Sequence, residues 1–142
     1  PSARSQAGPN QGSGRQAAAV LMSRVLKEGP GWRLGWDPNR TDYPALIGGQ
    51  AWAVELQPEE FADLRRLALQ LAETMAAMGD ELMDEERICC EAESEQLWLE
   101  VEGFPRSYGL RLILQRSRRA ELGWEPAATG EFLQAIAALE SF

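Results

Sequence analysis

The spacing of apolar residues changes along this chain, and the changes dictate what it can fold into. Up to Leu56 apolar side chains alternate with others, as in Trp32, Leu34, Trp36 and again in Trp52, Val54, Leu56. From Phe61 the period lengthens: Phe61, Leu64, Ala68, Leu71, Met75, Met78 and Leu82 recur at intervals of three and four. Between Ile88 and Trp124 alternation returns. A period of two belongs to strands with one buried face, and a 3-4 period belongs to a helix laid on a core. The chain therefore reads as strands, a long helix, strands, and a closing helix.

Local signals sharpen the boundaries. Gly29-Pro30-Gly31 and Asp37-Pro38-Asn39 are turns bracketing a strand at Trp32–Trp36, and Val25–Glu28 suits either a further strand or a short helix. Tyr43–Ile47, Gly48-Gly49 and Ala51–Leu56 predict a hairpin, with the glycines supplying positive φ and Pro44 holding the first arm near an edge. Pro58 opens the long helix, Glu59 and Glu60 complement its positive end, and Leu56 with Phe61 forms a hydrophobic staple. Some 24 residues of helix span about 36 Å, enough to cross a sheet. Strands are predicted at Ile88–Glu93, Leu97–Glu102, Tyr108–Gln115 and Arg119–Trp124, and Pro126 begins a last helix, running from about Thr129 to Leu139. Leu56-Gln57-Pro58 and Trp124-Glu125-Pro126 occupy matching places, each ending a β-rich stretch before a helix. The expectation is α+β: antiparallel sheets with a long central helix and a C-terminal helix, built from pseudo-repeats of about 22–83 and 84–142. Residues 1–21, rich in Gly, Ser, Gln, Ala and Pro, read as a disordered tail or an upstream extension before a domain opening near Met22.

Residue types remove several chemistries. Among 142 residues there is no histidine, so histidine triads, Cys-His dyads and imidazole metal sites are excluded. Neither glycine pair matches a phosphate-cradling or dinucleotide fingerprint, and the acids of Asp80–Glu86 lack calcium-loop spacing. No catalytic residue, cofactor or metal is expected. Cys89 and Cys90 are adjacent, which predicts free thiols in a reducing, cytoplasmic setting. No run is long and apolar enough to span a membrane.

Charge is unevenly spread. The net charge is −8, yet Asp80–Glu102 holds ten acids and one base, whereas Gly103–Ala120 holds five arginines and no acid. If the strands are antiparallel neighbours, Glu100 or Glu102 falls opposite Arg111. The candidate interaction surface is Trp98, Arg111 and Ile113 with Arg116, Arg118 and Arg119, where aromatic and guanidinium groups share a sheet face. Such a face suits a protein partner; single-stranded nucleic acid is the alternative, although neighbouring carboxylates oppose phosphate. Monomer and homodimer are both compatible with the pattern.

The strings Lys-Glu-Gly-Pro-Gly-Trp-Arg-Leu-Gly-Trp-Asp-Pro (27–38), Leu-Ile-Gly-Gly (46–49), Glu-Leu-Met-Asp-Glu-Glu (81–86), Cys-Glu-Ala-Glu-Ser (90–94) and Leu-Trp-Leu-Glu-Val-Glu-Gly-Phe-Pro (97–105) together resemble the small cyanobacterial proteins grouped as domain of unknown function 1818. The resemblance runs from about Met22 to Phe142. It implies a Whirly-like fold, shared with the positive-cofactor-four coactivator, in which two sheet-plus-helix units occupy one chain. Better-known members of that fold bind single-stranded DNA, but the resemblance supplies no activity and no catalytic residues.

Overall fold

The computed structural model describes residues 24–81, 85–116 and 118–139. Strands β1 (Val25–Gly29), β2 (Trp32–Trp36), β3 (Ala45–Gly48) and β4 (Ala53–Leu56) pair in chain order as one antiparallel sheet. Helix α1 (Pro58–Glu81) follows, then β5 (Ile88–Glu93), β6 (Leu97–Phe104), β7 (Ser107–Leu114) and β8 (Ala120–Trp124) repeat the arrangement, and helix α2 (Pro126–Ala138) closes it. The α+β architecture and the repeated β-rich-plus-α unit are as expected. The putting together differs from two separate halves: α1 leaves the first sheet to pack on β5 and β6, while α2 packs on β7 and reaches back to β1 and β2.

The inward residues are those that alternation selects. Leu34, Ile47 and Leu56 from the first sheet and Leu97, Leu99, Val101, Leu110, Leu112 and Leu114 from the second are fully buried. Phe61, Leu64, Leu67, Ala68, Leu71 and Met75 of α1 join them in one continuous cluster, with Phe132, Leu133 and Ile136 of α2. Met78 is only half-buried, and Leu82, the end of the predicted stripe, lies outside the described residues, as do the 1–21 tail and Met22.

Two local expectations change. Gly48 and Gly49 do not have positive φ; among the described glycines only Gly31 and Gly103 do. Their smallness serves packing instead: a Cβ at Gly48 would lie 2.7 Å from the Trp52 carbonyl oxygen, and one at Gly49 would strike the Trp52 indole. Pro44 does not put its arm at an edge, because β3 is an inner strand and Pro44 precedes its ladder, with its carbonyl accepting from the Asp37 N–H at 2.8 Å. The last helix begins at Pro126, as expected of a proline that pre-sets the first helical φ and lacks the N–H that would be orphaned there, so its first turn precedes Thr129. The open question ahead of Trp32 resolves as a strand, and Gly31 at φ 83° makes its tight turn.

Tryptophans join the two units. Trp124 of β8 stacks on Phe132 at 4.3 Å, lies 5.3 Å from Trp52 of the first sheet's turn, and donates its indole N–H to the Gly48 carbonyl at 2.9 Å. Trp32 of β2 donates to Glu131 of α2 at 2.9 Å. Each ring thus buries apolar area while its polar N–H finds an acceptor across the interface.

Candidate functional site

Because the inner face of the second sheet is filled by leucines, the intervening residues of β5 to β8 point away from the helices. Register places them in rows: Glu93, Trp98, Ile113 and Glu121 in one; Glu91, Glu100, Arg111 and Gly123 in the next; Cys89, Glu102 and Gly109 in a third. The expected pairing of Glu100 opposite Arg111 is present, as an ion pair of 2.8 Å. Arg111 also reaches Glu121 across the other ladder at 2.8 Å, and its guanidinium stands 5.4 Å from the centre of the Trp98 ring. Trp98 in turn donates its indole N–H to Glu91 at 3.1 Å. The hydrogen bonds from Arg111 to Glu121 and Glu100 push its pKa above the ordinary arginine value.

Cys89 joins this network. Its thiol donates to Glu100 at 3.1 Å, and that bond, with the negative charges of Glu100, Glu91 and Glu102, pushes the thiol pKa up to about 11. A thiol whose S–H is held by a carboxylate that would repel the thiolate is a poor nucleophile. Cys89, Glu91 and Glu100 bring one possible ligand atom each to within 4.8 Å of one another. One protonated sulfur and two surface carboxylates, without imidazole or a second thiolate, form a weak donor set.

The remaining predicted arginines separate. Arg116 lies just past β7 and pairs with Glu95 at 3.3 Å, near the rim of the same face. Arg119 is exposed just ahead of β8. Arg118 belongs elsewhere: it turns to the start of α1, where it bonds the fully buried Glu60 and the Glu55 carbonyl and stands 5.1 Å from the Tyr43 ring. Glu60 accepts the Gln57 N–H at 2.8 Å as well, half of a capping box. Oε2 of Glu60 and Nε of Arg118 are buried without hydrogen-bond partners. Arg118 is therefore a clasp between the two units and drops out of the surface set.

Sequence reading missed Cys89, Glu121 and two glycines. Parity within each strand identifies them as outward-facing, but only the register shows which side chains meet. Gly109 and Gly123 leave the outer surface of β7 and β8 bare, and a groove of about 530 Å³ lies there, lined by Glu100, Glu102, Gly109, Leu110, Arg111, Gly123, Trp124 and Glu125. A second concavity, about 420 Å³, lies between the end of α1, the β6–β7 turn and the start of α2, with Asp80, Arg106 and Tyr108 on its wall. Burial pushes the Tyr108 hydroxyl pKa up. No helix among the described residues is long and apolar enough to cross a membrane.

Among curated proteins none matches the chain. A crystal structure described as a protein of unknown function from the DUF155 family of Prochlorococcus sp. NATL2A is 32% identical, covers 82% of this chain and 98% of its own, and superposes with a TM-score of 0.77. Residues 27–139 match the family model described as Domain of unknown function (DUF1818). Spanning both sheets and both helices, that match shows that the chain belongs to the DUF1818 family.

Proposed function

We propose that the protein is a non-enzymatic binding module that docks a protein partner on the outer face of its second sheet. The observation carrying this reading is the Trp98–Arg111 pair, held in a cross-strand network of Glu91, Glu100 and Glu121. An aromatic ring and a guanidinium fixed in place lose little side-chain entropy on binding, and both are favoured at interface centres. Ile113, half-buried beside Trp98, adds apolar area to the centre. The absence of histidine and the raised thiol pKa of Cys89 favour binding over turnover. Two adjacent cysteines as free thiols suit a cytoplasmic protein.

The competing reading is a Whirly-like fold used on single-stranded nucleic acid. It needs arginines that can meet phosphate, and Arg111, Arg116 and Arg118 already hold carboxylates. A photo-crosslinking residue at position 113, irradiated in native cells, tests the two. The expected result is a discrete protein adduct that Trp98→Ala abolishes and that a crosslinker at exposed Gln50 does not form. Adducts to nucleic acid alone, or protein adducts indifferent to Trp98→Ala, overturn the protein-docking reading.

A further inference from the structure

We infer that the groove over Gly109 and Gly123 receives a cationic side chain, lysine or arginine, from a basic segment of the docked polypeptide. This rests on the protein-docking reading of the second sheet and names the chemistry of its partner. The first support is the shape. Glycine in a strand interior weakens it, and neither glycine is explained by its backbone, since among the described glycines only Gly31 and Gly103 have positive φ. Gly109 has a packing reason, because a Cβ there would come within 3.1 Å of the Trp124 carbonyl oxygen. Gly123 has none: its Cβ would make ordinary contacts, 3.5 Å to the Leu110 carbonyl oxygen and 3.7 Å to Cγ of Arg111. Folding alone tolerates a side chain at 123, yet the position is bare and opens the groove. Its volume, about 530 Å³, falls within the roughly 300–1,000 Å³ of sites that take up small ligands.

The second support is charge. Glu100, Glu102 and Glu125 line the groove against Arg111. Arg87 offsets Glu102, at 2.6 Å, and Arg111 is shared between Glu100 and Glu121. Those four carboxylates face two guanidiniums, so the surroundings stay net negative. Glu125 is the N-cap residue of α2, but its side chain makes no capping hydrogen bond and its carboxylate is not spent on the helix. These carboxylates present acceptors, which a multi-donor cation satisfies and an anion does not.

The test is fluorescence anisotropy at low salt with a short labelled peptide of alternating arginine and serine, against the same peptide with glutamate for arginine and against labelled oligothymidylate. The arginine peptide is expected to bind and the other two are not. Gly123→Val fills the groove with a residue of higher strand preference; the expected result is about tenfold weaker binding with a melting temperature no lower than the parent's. Glu125→Gln, which leaves the helix cap intact, is expected to weaken binding about threefold. Equal binding of the arginine peptide to parent and Gly123→Val, or equal binding of glutamate peptide or oligothymidylate, overturns the inference. The position-113 crosslink separates the two claims. If Gly123→Val leaves a Trp98-dependent protein adduct in place, the groove assignment fails and the docking face stands; if the adduct is absent from the parent, the docking reading itself fails.

Discussion

The two sheets share strand order, pairing and an inner face of apolar residues, but their outer faces are different materials. Outside the first sheet, Leu26 is exposed beside Gly35 and Leu46, Arg33 turns to the carbonyls of Gly49 and Trp52, and Arg40 pairs with Glu55. Outside the second, Glu91, Glu93, Glu100, Glu102 and Glu121 surround Arg111 and Trp98. The inner faces are constrained by one common core, so both keep large aliphatic residues at alternating positions. The outer faces are free of that constraint, and there the two units differ. Function is thus to be sought where the halves differ.

The comparison breaks most easily at the inner faces. Leu34→Ala in the first sheet and Leu112→Ala in the second should each lower unfolding free energy by about 3 kcal/mol, since both side chains are fully buried. Urea denaturation checks this, and a small loss at one site alone would mean that the halves do not share one core. Next comes the clasp. Arg118→Ala should cost about 2 kcal/mol by the same measurement, because it leaves the fully buried Glu60 carboxylate with the Gln57 N–H as its remaining partner. A neutral result would show that the shared apolar core holds the units together without the clasp.

The outer-face predictions are smaller and chemical. Iodoacetamide should alkylate Cys89 slowly below pH 10, because its thiol pKa is raised to about 11. Glu100→Gln removes the S–H acceptor charge, lowers that pKa toward the ordinary thiol value of 9.0, increases the thiolate fraction and so speeds alkylation at pH 9. An unchanged rate would detach Cys89 from the network. Smallest is the effect of Arg111→Ala on stability, expected to fall well below that of either leucine substitution because the ion pairs are exposed and screened by salt. A loss as large as Leu112→Ala would make the outer network structural instead of functional.

Much of this architecture was legible because burial imposes periodicity directly on the residues. Alternation marks the strands from Trp32 onward except β3, which the hairpin pattern at Gly48-Gly49 marks, and Pro58 and Pro126 mark both helix starts. The site was legible in part. Trp98, Arg111 and Ile113 share a face because they have the right parity on neighbouring strands, whereas Arg118 lies between β7 and β8, where no strand parity fixes its direction, and it turns to Glu60. The double glycine suggests a backbone role, whereas the Trp52 carbonyl oxygen beside Gly48 and the Trp52 ring beside Gly49 give the pair a packing one.

The sequence by itself determined which residues turn inward and which side chains are available for chemistry, since solvent exclusion and residue type act locally. Tertiary structure decided which of them meet. Helix α1 crossing to the second sheet, Trp124 reaching Gly48, Arg118 closing on Glu60 and the bare strip at Gly109 and Gly123 all depend on register and long-range docking. Those are collective properties of many packed side chains, and no local pattern encodes them.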